Sequence, residues 1–185
     1  MHAALRRAYS DGLYLARHND VRVFGYGVAI LGRQVIPFSN LVTTAGDQYY
    51  AKMGIAGVQP ANASAPTKVT GMKLGTGSTT PTKSGSASAL GTYISGSNAA
   101  FDATFPTAAA VTGTDTGWQA NYQTTWAAGT ATNGAIAEVV MVTDSATDAT
   151  STAANTIARA ILSPAANKIA GLPMTILWHH VLLGA

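Results

Sequence analysis

The chain has 185 residues, 47% of them apolar and only 10% charged, with no Cys and one glutamate, Glu138. Ordinary soluble domains carry roughly 25% charged residues, so this composition fits a surface covered by neighbours better than a free monomer kept soluble by Lys and Glu. The lack of Cys excludes disulfides, thiolate metal sites and a Cys nucleophile, and no apolar run reaches the ~18–20 residues of a helical membrane span.

The net charge is concentrated at one end. Residues 1–40 hold Arg6, Arg7, Arg17, Arg22 and Arg33 against Asp11 and Asp20, while the basic and acidic residues beyond them cancel. Residues 1–20 contain an apolar spacing, Leu5, Tyr9 and Leu13, enough for a turn or two of amphipathic helix. The Arg-rich, acid-poor start also fits a transit peptide, but it lacks the apolar centre of a secretory signal. Val21 to Leu31 reads as a strand with Gly25 and Gly27 at bends or close approaches. Pro37 and Ser39-Asn40 close this section, so residues 1–39 are expected to form an N-terminal arm with one strand, and residues 40–185 a separate domain.

Leu41 to Met53 predicts the one helix, capped from Thr44 or Asn40 and weakened by Gly46 by about 1 kcal/mol. A loop over 55–67 leads to a strand at Lys68 to Gly75, a turn, and a surface connection over 82–92. Gly117 to Ala128 has the clearest period: Trp118, Ala120, Tyr122, Thr124 and Trp126 alternate with Gln119, Asn121, Gln123 and Thr125. That pattern predicts a half-buried antiparallel strand with its aromatics inward. Ala137 to Thr143 is apolar on both phases and predicts a strand covered on both faces. Asp144 to Asn155 reads as a loop, and Thr156 to Leu162 and Met174 to Leu183 as two further strands. Short strands with turn signals at ~8–15-residue intervals predict an all-β fold, an antiparallel β-sandwich of jelly-roll or immunoglobulin-like type with one short helix. Its core anchors are Trp118, Tyr122, Trp126 and Trp178.

The chemistry-bearing motifs are sparse. His179 and His180 are adjacent on a predicted strand, so they point to opposite faces and cannot share a metal. One is expected in the core or an interface and the other at solvent. Gly75-Thr76-Gly77-Ser78-Thr79 lacks the spacing, the Lys and the following helix of a phosphate-binding loop, and reads as a turn. Asp144 and Asp148 have too few acidic neighbours to form a calcium site. There is no Gly-x-Ser-x-Gly elbow and no close carboxylate pair. No catalytic residue, metal or cofactor is expected, and the protein reads as a non-enzyme. The arm's Arg6, Arg7, Arg17, Arg22 and Arg33 form no basic block, so they are expected to contact a partner protein and not nucleic acid.

Three stretches carry a resemblance. They are Asn40 to Gly46 at the helix start, Lys73 to Pro81, and Ile157 to Pro164 with Asn167-Lys168 and Met174 to Trp178 near the end. In this order they resemble a diffuse group of tailed-bacteriophage virion proteins, some similar to capsid decoration (cement) proteins. The resemblance covers about residues 40–185 and leaves the arm outside it. It implies a homotrimer that binds the major capsid protein on the capsid exterior and is assembled in the bacterial host cytoplasm. The other implied place is a tail or fibre protein with a host-binding role. Neither implies a membrane partner.

Overall fold

The computed structural model describes residues 22–56, 65–111 and 117–183. Among these, the chain forms β1 (Arg22–Leu31), β2 (Gln34–Val42), helix α1 (Thr44–Ile55), β3 (Gly71–Gly75), β4 (Ala99–Ala100), β5 (Thr107–Val111), β6 (Gly117–Trp126), β7 (Asn133–Val142), β8 (Thr156–Lys168) and β9 (Met174–Leu183). The nine strands make one sheet in the order β4-β3-β7-β8-β2-β1-β9-β6-β5, and every pairing is antiparallel.

The sheet curls into a half-barrel. The segment after β4 reaches across to β6: the Asp102 N–H donates to the Gln123 carbonyl (2.9 Å), and the Thr125 N–H donates to Asp102 Oδ1 (3.0 Å). Inward side chains from all the long strands therefore meet in one core. Met72, Leu74, Val139, Met141, Ala158 and Ala160 face Ala29, Phe38, Tyr122, Trp126, Ile176 and Trp178. Curling lets a single sheet bury its apolar face against itself.

Residues 22–39 are not an arm. β1 lies between β2 and β9, and β2 continues through residue 40 to pair with β8, so the boundary expected after residue 39 falls inside a strand. Pro37 does not break β2: it lies opposite Val28, and the ladder continues on both sides of it. Gly32, with φ 54°, opens the two-residue turn that joins the hairpin. Gly27 lies where the Leu177 carbonyl and the Phe38 ring leave no room for a Cβ.

Two local expectations also change. The helix is capped by Thr43, whose Oγ1 accepts from the Gly46 N–H (3.1 Å). Gly46 is what allows the helix to approach β8, because a Cβ there would strike the Ile157 carbonyl. The segment over 82–92 is a surface connection only in part: residues 82–86, 91 and 92 are exposed, but Ser88, Ala89 and Leu90 are buried, and Leu90 packs on Val140 and Val142. This layer covers the outer face of β3, β7 and β8, which explains why β7 is apolar on both phases.

Of the four core anchors, Tyr122, Trp126 and Trp178 are buried, whereas Trp118 is 61% exposed. Trp118 keeps the inward phase of β6, but its cross-strand neighbours are Leu182 and Ala110, at the end of the sheet. The inner face has run past the core at that row.

Candidate interaction surface

Arg33 is exposed in the β1–β2 turn. Arg6, Arg7 and Arg17 lie outside the described residues, as does the side chain of Arg22. The expected set of arm contacts therefore lies, apart from Arg33, outside the described residues. The two histidines separate as strand geometry requires: His180 is fully buried, while His179 is partly exposed on the outer face.

His180 belongs to a closed internal network. Its Nε2 accepts from Trp178 Nε1 (2.9 Å), a group that can only donate. The neutral ring must then carry its proton on Nδ1, which donates to the Tyr50 hydroxyl from α1. Tyr50 in turn lies 3.4 Å from the Tyr122 hydroxyl. The Asn40 amide oxygen, oriented toward its donors, accepts from the Tyr26 N–H (3.1 Å) and from Trp178 Nε1 (2.6 Å). Burial, with a lesser contribution from His179, pushes the His180 pKa down to about 3. Protonation would also turn Nε2 into a donor facing the indole N–H. Burial raises both Tyr50 and Tyr122 above the ordinary phenol range. This network locks α1 onto the sheet and offers a reagent no exposed base.

The buried charges also fasten loops. Glu138 is fully buried with Arg159, whose Nε and Nη2 donate to its Oε2 at 3.0 and 2.6 Å. Glu138 Oε1 accepts the backbone N–H groups of Gly77 (2.8 Å), Gly91 (3.1 Å) and Thr92 (2.9 Å). The Gly-Thr-Gly-Ser-Thr stretch thus contributes one N–H, that of Gly77, to a cradle for the chain's own single glutamate, and Gly91 and Thr92 supply the others. Arg159 Nη1 reaches the Ala87 carbonyl (2.7 Å), tying down the covering layer. Lys73 Nζ sits against Asp144 Oδ1 (3.2 Å) and the Ala149 carbonyl (2.9 Å), so an ammonium occupies the position a cation would take in that loop. Lys168 Nζ joins the carbonyls of Ala127 (2.9 Å) and Leu172 (3.1 Å), and burial lowers its pKa. Among the described residues no group of three or more His, Cys, Asp or Glu side chains is placed to hold a metal ion.

The other half of the sheet presents a different outer face. β2, β6 and β9 contain no Asp, Glu, Lys or Arg, and β1 contains only Arg22 at its start. The pairing registers align their outward side chains in rows. Val35, Ile30, Thr175 and Thr125 form one row, and Pro37, Val28, Leu177 and Gln123 the next. The third contains Ser39, Tyr26, His179 and Asn121. The third row is stitched together: the Tyr26 and His179 rings lie 4.9 Å apart, and His179 Nδ1 is 2.7 Å from Asn121 Oδ1. Gln119 Nε2 donates to that same oxygen (2.7 Å). Val35 and Pro37 are exposed and Val28, Ile30 and Leu177 partly so. The rows themselves contain no charged side chain, and one carboxylate lies against them at the β6 side: Asp102 Oδ2 accepts from Gln123 Nε2 (2.6 Å) and Thr125 Oγ1 (2.8 Å). Sequence alternation shows which residues point outward, but only the register shows that these four nearly charge-free strands lie side by side.

Comparison with protein-family models, with curated proteins and with solved structures gives no match to this chain.

Proposed function

We propose that this protein is a non-enzymatic bacteriophage virion component, a capsid decoration (cement) protein that binds the major capsid protein and its own copies on the capsid exterior. The observation that carries the reading is the outer face of β2, β1, β9 and β6, whose three rows of outward side chains are uncharged and half apolar, with the single carboxylate of Asp102 at its β6 side. Apolar contact contributes ~25 cal/mol per Å² buried, and on a lattice many such contacts act together. The internal ion pairs fit the same role, because they spend the buried charge on rigidity. In the finer description of the fold, the two halves of the curled sheet serve as the layers of a jelly-roll-type sandwich. The self-assembled form implied by the resemblance is a trimer.

Heads prepared without this protein and then mixed with it should release their DNA at a higher temperature than untreated heads. An unchanged release temperature, with no protein sedimenting with the heads, would remove the reading. The tail or fibre alternative has one observation in its favour, the exposed indole of Trp118 at the open end of the sheet. On that reading Trp118→Ala abolishes adsorption to cells and leaves head stability unchanged.

A further inference from the structure

We propose that Asn133-Gly134 is a self-modifying site, at which the Gly134 backbone nitrogen displaces the Asn133 side-chain amide and leaves a carboxylate opposite Lys168. The inference goes beyond the virion reading and does not rest on it.

The ladder sets up the reaction. Asn133-Gly134 is the chain's one Asn-Gly pair, and glycine puts no side chain beside the attacking nitrogen. β7 opens with Asn133 paired to Lys168, and the next pair is Ile136 with Ala166. Gly134 and Ala135 therefore stand opposite the single residue Asn167, in a bulge. Both are exposed and Asn133 is partly so, which gives water access to the peptide. The Ala135 N–H donates to Asn133 Oδ1 (2.8 Å), a turn that folds the side chain forward over the Gly134 peptide. The same N–H stabilises the oxyanion that forms on Oδ1 during attack.

The steps balance. A solvent base takes the Gly134 N–H proton, and the nitrogen bonds to Asn133 Cγ. The Cγ–Nδ2 bond breaks, and ammonia leaves with a proton from solvent, closing a cyclic succinimide. Water then opens the ring. Opening at Cγ gives an aspartate in the ordinary chain, and opening at the main-chain carbonyl gives an isoaspartate. One water is consumed and one ammonia released, with no oxidant or reductant.

Lys168 favours the product. Its side chain shares a face with Asn133 across the ladder. It is fully buried, with Nζ donating to the carbonyls of Ala127 (2.9 Å) and Leu172 (3.1 Å). Among the described residues no carboxylate lies within ion-pair distance of it. A carboxylate at position 133 supplies the missing counter-charge.

The test keeps the freshly purified full chain for days in warm, mildly alkaline buffer. Peptides spanning residues 133 and 134 are then weighed by mass spectrometry and probed with isoaspartyl methyltransferase. The wild type should gain the mass of an amide-to-acid exchange at residue 133, at least as fast in the native state as in urea. Gly134→Ala should slow the exchange at least about tenfold by hindering the approach. Its Cβ would meet only Asn167 Oδ1, at 3.7 Å, so the fold accepts it. Asn133→Asp should unfold at a higher temperature than unmodified wild type at neutral pH, and should lose that gain as the pH falls through the carboxylate range. An Asn133 that stays intact in the native state while it converts in urea, or a rate indifferent to Gly134→Ala, would overturn the self-modification. An Asn133→Asp chain no more stable than wild type would overturn the pairing with Lys168.

Discussion

His180 carries a measurable consequence of its surroundings. Its folded pKa lies near 3 against an ordinary 6.5. Between those values the unfolded chain takes up a proton that the folded chain refuses. Stability is therefore full above about pH 6.5 and falls as the pH drops, by up to ~1.4 kcal/mol per pH unit. His180→Gln keeps an acceptor for Trp178 and a donor for Tyr50 but cannot titrate. Its urea-unfolding free energy should fall less steeply than wild type between about pH 7 and about pH 4, and parallel curves would contradict the assignment. The tryptophans make a second contrast. Trp126, buried with its Nε1 donating to the Ser97 carbonyl at 2.7 Å, should cost ~3–5 kcal/mol when replaced by Ala. Trp118→Ala should stay within ~0.5 kcal/mol. Equal losses in denaturant would mean that Trp118 is held by contacts the strand end does not provide. Alternation alone gave all three β6 aromatics the same phase. It could not show where along the strand the core ends.

At the scale of elements, the covering layer depends on one carboxylate. Glu138→Gln leaves the Arg159 guanidinium buried without a counter-charge and should cost ~3–5 kcal/mol. It should also open residues 76–98 to limited proteolysis, and a variant as stable and protease-resistant as wild type would contradict the stapling role. β9 pairs along its whole length with β1 and over most of it with β6. Deleting residues 174–185 should give insoluble protein, whereas a soluble, folded truncation would contradict its central place. The strands with regular alternation or apolar runs, β1, β6, β7 and β9, were legible in the sequence. β2 was hidden because Pro37 and Ser39-Asn40 have turn chemistry, yet pairing with β1 along this stretch, joined by β8 from Asn40 onward, holds them extended. The covering layer was hidden because Ser, Gly and Ala look like a surface loop. It is buried through backbone N–H groups that any sequence supplies, gathered by a glutamate some fifty residues away.

For the whole molecule, four charged side chains are turned inward, while Arg33, Asp47, Lys52, Lys68, Lys83 and Asp148 remain exposed away from the β2-β1-β9-β6 rows. Lys73, Glu138, Arg159 and Lys168 are buried holding loops, while four adjacent strands show a face with almost no charge. A half-apolar face of this kind gains from being covered, which is the physical argument behind the proposed place in an assembled particle. The central claim is most directly tested by locating and counting the protein in an electron cryomicroscopy map of the virion that carries it. The account predicts hundreds of copies on the outer capsid lattice, each with the β2-β1-β9-β6 face against a neighbouring subunit. A handful of copies confined to the tail, or that face left open to solvent in the particle, would contradict it.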